Sequence, residues 1–251
     1  MKRALVTGAG RRLGRELAVS LGARGYQVGI HFNGSREGAE GTLKAVQDAG
    51  GDGVVIAADL TSEIALTELF KTVSDALGGP LDVLVNNASA FEVDTLNDHN
   101  AETWRLHMAV NLRAPVRLSQ LFAAQLPKGQ SGVIVNMIDQ RVRKLNPLMF
   151  SYTLSKSALW TATQTMAQAL APNVRVNAIG PGPTLQGDRQ STEDFEKQVT
   201  ATLTGRGSNP QEIRKAFYYL LDADAVTGQM IAVDGGQHLV WQTPDVDGVK
   251  E

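Results

Sequence analysis

At 251 residues, with 43% hydrophobic and 20% charged residues, the chain carries the apolar material of one large α/β domain or two small ones, a balance that fits neither disorder nor membrane insertion. Its net charge of -2 lacks the basic excess that tracks a nucleic-acid backbone, so no nucleic-acid partner is expected. The absence of cysteine excludes disulfides and thiolate chemistry. The four histidines, His31, His99, His107 and His238, lack metal-ligand spacing, so no metal is expected either.

The opening apolar run, Ala4-Leu5-Val6, is far too short for a signal segment or a membrane span, which makes cytoplasmic residence the expectation. A first strand over Arg3–Thr7 leads into Thr7-Gly8-Ala9-Gly10-Arg11-Arg12-Leu13-Gly14 and then a helix over Leu13–Ala23. Glycines there let the backbone turn sharply and let a pyrophosphate approach the helix N-terminus, which points to a dinucleotide. Further strands follow at Gln27–Phe32, Gly53–Ala57, Val83–Asn86, Val133–Met137, Arg175–Ile179 and Met230–Val233. Helical patterns lie between them at Arg36–Ala49, Ser62–Leu77, Asn100–Ala124, Ser151–Leu170 and Pro210–Leu221. Several of the strands are almost continuously apolar, as strands buried on both faces are. The alternation predicts a single-domain α/β Rossmann fold, a doubly wound parallel sheet of about seven strands over residues 1–240. The polar, Gly-rich stretch Pro181–Gly207 reads as a mobile flap over a site, and the polar tail 241–251 as leaving the fold.

The chemistry concentrates around Tyr152 and Lys156. At i and i+4 they share a helix face, so the ammonium can favour the phenolate and make the phenol a usable proton donor. Asp139 stands just past the preceding apolar run. The pair alone is a weak signal, and its setting decides.

That setting resembles the short-chain dehydrogenase/reductase family along almost the whole chain. The loop from Thr7 to Gly14 is similar to the family's TGxxxGxG, with Arg12 where most members have the middle glycine. Asn86-Asn87-Ala88-Ser89 resembles its NNAG segment, and Val233-Asp234-Gly235-Gly236 its C-terminal VDGG. The resemblance implies that Tyr152 and Lys156 are the catalytic pair and that Asn111 is the structural and proton-relay asparagine, holding a water chain behind the lysine. It further implies that Asp59 and Leu60 contact adenine and that Pro181 and Gly182 form the turn beside a nicotinamide. Gly8, Arg11, Arg12, Leu13 and Gly14, with Asn87, Ala88 and Ser89, become expected cofactor contacts. By the same resemblance Lys156 is expected to bind the nicotinamide ribose. Similar proteins are tetramers, and Leu106, Leu118, Leu121, Leu159, Trp160 and Met166 put apolar residues on more than one face of the two long helices, so that each helix can bury one stripe on the sheet and another on a neighbouring subunit of a homotetramer.

The dinucleotide is chosen at the end of the second strand, His31-Phe32-Asn33-Gly34-Ser35-Arg36. An acid there would accept from a ribose 2′-hydroxyl and repel a 2′-phosphate, yet no carboxylate occurs before Glu37. Arg12, Ser35 and Arg36 can instead bind a phosphate, so the expected cofactor is NADPH.

Most members carry a serine thirteen positions before the tyrosine, where this chain has Asp139. With Arg12 and the run Asn-Ala-Ser-Ala-Phe at positions 87 to 91, this resembles the pteridine reductase and dihydromonapterin or dihydrofolate reductase-like members. That likeness implies a pterin or folate substrate, with Phe91 stacked on the ring, Ser89 and Arg12 at its polar edge, and Asp139 and Tyr152 delivering protons. The carboxylate of Asp139 would oppose Lys156 in biasing the phenol. Two rivals stand beside this reading. One is an NADPH-dependent ketone reductase, such as a 3-oxoacyl-carrier-protein reductase, with Asp139 replacing serine as a hydrogen-bonding group. The other is a non-catalytic NADPH-binding protein.

Overall fold

The computed structural model describes residues 1–187, 189–243 and 247. Its strands are β1 (Arg3–Val6), β2 (Gln27–Phe32), β3 (Asp52–Ala57), β4 (Val83–Asn86), β5 (Gly132–Met137), β6 (Val174–Pro181) and β7 (Met230–Val233). All pair in parallel in the order β3-β2-β1-β4-β5-β6-β7. Parallel neighbours need a crossover, and each is helical: α1 (Arg12–Gly22), α2 (Arg36–Asp48), α3 (Glu63–Ala76), α4 (Ala101–Met108) continuing toward α5 (Ala114–Gln125), α6 (Phe150–Leu170), α7 (Thr192–Thr200) and α8 (Pro210–Asp222). The order reverses between β1 and β4, and the crevice at their carboxyl ends is where such sheets bind ligands.

Alternation along the strands divides the core into two layers. Ala4 and Val6 pack with Leu17 and Leu21 of α1 and Phe217 of α8. The intervening Leu5, with Leu84 and Ile134, packs with Leu69 of α3 and Leu118 and Phe122 of α5. Of the apolar residues on the two long helices, Leu118 and Leu159 are enclosed in the core. Leu106, Leu121, Trp160 and Met166 are half-buried, the last three packed against the core from its rim.

The helix expected over Asn100–Ala124 is interrupted by one π turn at Ala109–Arg113. Pro115 explains it: a proline offers no N–H and its ring crowds the carbonyl four residues earlier, that of Asn111. Widening the turn there relieves the crowding, and π turns of this kind recur at functional sites. The expected flap contains α7, whose N-cap Ser191 accepts from Asp194 N–H at 3.1 Å. It is therefore a partly helical excursion; Asp188 within it lies outside the described residues, as do residues 244–246 and 248–251 of the expected tail. Among the described residues no helix is long and apolar enough to cross a membrane.

Candidate active site

Four chain segments meet at the carboxyl edge of the sheet: the glycine loop after β1, the segment after β4, the Asp139 turn after β5 and the start of α6. The glycine loop is fixed from beneath. Thr7 Oγ1 accepts from the backbone N–H groups of Asn87 and Ala88, each at 3.0 Å, while Asn87 Nδ2 donates to the carbonyls of Thr7 and Gly8 at 2.9 and 3.0 Å. A Cβ on Gly14 would lie 2.1 Å from the Gly8 carbonyl oxygen, so this close approach requires glycine. Arg12 sits at φ 51, the left-handed region, which accounts physically for a glycine being common at this position. Its guanidinium reaches across to donate to the carbonyls of Gln186 and of Leu185, the latter at 3.0 Å, joining the glycine loop to the excursion after β6.

His31, expected among the cofactor contacts, is wholly enclosed. Its Nδ1 accepts from Gly8 N–H at 3.0 Å and its Nε2 donates to the Ala58 carbonyl at 3.1 Å, a neutral ring bridging the loop to the end of β3. Burial lowers its pKa, in keeping with that neutral state. Phe32 is likewise buried, whereas Asn33, Ser35 and Arg36 lie exposed beyond it. Arg36 stacks over the Phe32 ring at 5.4 Å and reaches Glu40 at 3.5 Å. Asp59 is exposed and spends one oxygen on the N–H and hydroxyl of Thr61 at 2.9 and 2.8 Å, while Leu60 is buried. Gly182 donates to the Val233 carbonyl at 3.0 Å, which pins the Pro181–Gly182 turn to β7.

Asp139 does two jobs with two oxygens. Oδ1 accepts from Arg141 N–H at 2.8 Å and caps the short 3₁₀ turn Gln140–Val142. Oδ2 accepts the Tyr152 hydroxyl at 3.0 Å and the Arg141 guanidinium at 3.0 Å. Tyr152 and Lys156 are buried on the first turns of α6. The Lys156 ammonium donates to the Met137 carbonyl at 2.9 Å and stands 5.8 Å from the Tyr152 ring centroid. Burial and then the Asp139 carboxylate hold the phenol well above the usual tyrosine range, the reverse of the phenolate bias expected from helix spacing. The same burial pushes Lys156 down to about 8, with Asp139 opposing.

Phe91, 37% exposed, packs edge-on against Tyr152 with centroids 4.7 Å apart and planes at 85°. Asn111 is fully buried in the π turn, and its polar atoms are committed: Oδ1 accepts from Ala90 N–H at 2.8 Å and from the Ser89 hydroxyl at 3.2 Å, while Nδ2 donates to the Ala90 carbonyl and Ser155 Oγ, each at 3.0 Å. Its direct partners are thus the Ser89–Ala90 loop and α6, not Lys156. Arg141, Glu92 and Arg189 join the site without having been read from sequence; Arg189 pairs with Glu92 at 2.7 Å and donates to the Phe91 carbonyl. The basic run Arg141-Val142-Arg143-Lys144 was the available signal for the first of them.

Residues 2–197 match the family described as short chain dehydrogenase. The chain belongs to the short-chain dehydrogenase/reductase family. A 3-oxoacyl-(acyl-carrier-protein) reductase FabG of Staphylococcus aureus is 30% identical over 243 residues, covering 95% of this chain and 98% of its own. The crystal structure of FolM alternative dihydrofolate reductase 1 from Brucella canis, complexed with NADP, is similar at TM-score 0.93 and 47% identity, covering 98% of this chain and 97% of that one. The angucycline C-6 ketoreductase LanV with bound NADP is similar at TM-score 0.88 and 30% identity, covering 95% and 96%. As a member of that family the chain is an oxidoreductase.

Proposed function

We propose that this short-chain dehydrogenase/reductase is an NADPH-dependent reductase of a pterin or folate. The observation that carries the reading is the contact between Asp139 Oδ2 and the Tyr152 hydroxyl at 3.0 Å. Reducing a C=N bond of such a ring requires a proton at ring nitrogen. A carboxylate hydrogen-bonded to the phenol gives a route by which that proton is replaced. The 47% identity to a protein described as a dihydrofolate reductase, against 30% to the ketone-reducing relatives, supports the heterocycle over a ketone.

The residues suit the dinucleotide. The N-terminus of α1 carries no side-chain cap and no acid in its first turn, leaving its first N–H groups for a phosphate beside Arg11 and Arg12. Asn33, Ser35 and Arg36 are exposed where an acid would repel a 2′-phosphate. Gly8, Leu13 and Gly14 would then face the pyrophosphate, Asp59 and Leu60 the adenine, Asn87, Ala88 and Ser89 the adjoining ribose, and Lys156, Pro181 and Gly182 the nicotinamide side. When bound, the cofactor supplies the hydride. Tyr152, held as the neutral phenol, gives its proton to ring nitrogen, and Asp139, oriented by Arg141, steers that proton. Phe91 offers its exposed face to a flat ring.

NADPH oxidation with dihydrobiopterin, dihydrofolate and an acetoacetyl thioester tests the reading. Turnover of a pterin or dihydrofolate at least ~10-fold above the thioester in kcat/KM is expected, a margin of about 1.4 kcal/mol in transition-state binding. Preference for the thioester would replace the proposal with a ketone reductase, and NADPH binding without oxidation of any would make the protein a cofactor-binding module. We further infer a cytoplasmic homotetramer joined along α5 and α6, where Leu154 is exposed. Light scattering should give four times 26.9 kDa.

A further inference from the structure

Behind Tyr152 lies a buried polar chain that the chemistry above does not use. Asp94, Ser151 and His107 are 3%, 0% and 0% exposed. Asp94 Oδ1 accepts from Ser151 N–H at 3.0 Å, and its Oδ2 accepts the Ser151 hydroxyl. His107 Nδ1 lies 2.7 Å from Ser151 Oγ, and its Nε2 accepts from Glu92 N–H at 3.0 Å. The proton positions follow. Because Nε2 receives a backbone N–H, a neutral ring carries its hydrogen on Nδ1; that hydrogen goes to Ser151 Oγ, and the serine hydrogen goes to Asp94. An imidazolium would set an N–H against the Glu92 N–H and break the chain.

The ring's place gives this chain a purpose. His107 and Asn111 are one helical turn apart and grip the same loop on either side of Phe91: Asn111 holds both backbone polar groups of Ala90, and His107 holds the N–H of Glu92. The His107 ring also meets Tyr152 edge-on, with centroids 5.9 Å apart and planes at 74°. Phe150 N–H donates to the Asp94 carbonyl at 3.0 Å, so the loop is sewn to the first turn of α6 as well.

We infer that His107, in its neutral Nδ1–H form and backed by Ser151 and Asp94, is a positioning residue that fixes the Phe91 loop against Tyr152 and thereby sets affinity for the reducible substrate. The inference rests on the reading that Phe91 faces substrate, and holds whether that substrate is a heterocycle or a ketone. Two replacements separate its two hydrogen bonds. Glutamine can place an acceptor where Nε2 lies and keep the Glu92 N–H satisfied; asparagine reaches only as far as Nδ1 and leaves that N–H buried without a partner.

The experiment begins with the wild-type enzyme on dihydrobiopterin, dihydrofolate and the acetoacetyl thioester, and continues with whichever is turned over. Rejection of both dihydrobiopterin and dihydrofolate overturns the proposed function while leaving the loop measurable on the ketone. His107→Asn should raise the substrate KM roughly 10-fold, with NADPH affinity within about 3-fold of wild type. His107→Gln should restore KM to within about 3-fold of wild type. Equal defects in the two variants, or NADPH affinity falling in step with substrate affinity, would reduce His107 to a plain packing residue and overturn the inference. The ring's state in the wild-type protein is an independent arm: long-range proton–nitrogen NMR should show the neutral Nδ1–H tautomer at pH 7.5. An Nε2–H ring or an imidazolium would sink the inference even if neither variant folds.

Discussion

Tyr152 donates its phenolic hydrogen to Oδ2 of Asp139 at 3.0 Å, and the same oxygen accepts from the Arg141 guanidinium, so phenol, carboxylate and cation form one short chain at the end of β5. Asp139→Asn tests what that chain does. The amide can still cap Arg141 N–H through its oxygen, but it has no charge for the guanidinium and no ionised acceptor for the phenol. Turnover of a pterin should fall about 100-fold or more, in the range of lost acid–base assistance, with NADPH affinity nearly unchanged. Unchanged turnover would remove Asp139 from the mechanism.

Lys156 sets an alkaline limit. Burial brings its pKa down to about 8 from an ordinary 10.5, so the ammonium is lost as pH rises through that value. In the free enzyme kcat/KM should decline above an apparent pKa near 8, measured between pH 7 and 10. Stability moves the other way. Between about 8 and 10.5 the unfolded chain holds the proton that the folded chain has released, so this group contributes increasing stability as pH rises across that window. A kcat/KM profile flat to pH 10 would show that the ammonium is not needed.

Much of this was legible beforehand, for definable reasons. The strands announce themselves because both faces are buried, and Tyr152 and Lys156 stand at a spacing that helix geometry converts directly into proximity, whereas Asp139 was placed with them by the family resemblance. Asp139 both caps its own turn and meets the Tyr152 hydroxyl because a carboxylate has two oxygens. What escaped is non-local. Asp94 and Ser151 are 57 residues apart, and His107 finds each partner through tertiary packing that no spacing encodes. α7 fully buries no side chain and offers only Phe195 and Val199, four apart, as an apolar signal, although Ser191 and Asp194 were a readable cap. Pro115 could have announced the π turn.

Arg12 offers a case in which stability and binding should separate. A non-glycine residue at φ 51 costs roughly 1–2 kcal/mol, which Arg12→Gly relieves, while glycine's extra freedom in the unfolded chain takes back roughly 0.4–1 kcal/mol. The two nearly cancel, so thermal unfolding should shift by only a few degrees, upward if at all. The guanidinium, however, is the link to Leu185 and Gln186 and stands at the proposed phosphate site. NADPH affinity should drop roughly 10- to 150-fold, as loss of a charge-assisted contact worth about 1.5–3 kcal/mol implies. A variant that binds NADPH normally would confine Arg12 to holding the excursion after β6.

Two glycine substitutions should differ in sign although both add one methyl group. At Gly14 the new Cβ would meet backbone oxygen at 2.1 Å and Asn87 Nδ2 at 2.5 Å, so the glycine loop and the asparagine that holds it must move apart. Gly14→Ala should lose about 1–3 kcal/mol of stability, the range for overpacking, and most of the NADPH affinity. Gly41 lies inside α2, where a Cβ would find only Arg15 Nη1 at 3.8 Å. Gly41→Ala should therefore gain up to about 1 kcal/mol from helix propensity and leave the cofactor untouched. Thermal melts with and without NADPH read both effects together. Gly14→Ala should shift little on adding cofactor, whereas Gly41→Ala should melt above wild type and rise as wild type does. Equal melting of the two variants would mean that the glycine loop yields without cost, and the tight seat under the proposed pyrophosphate site would lose its support.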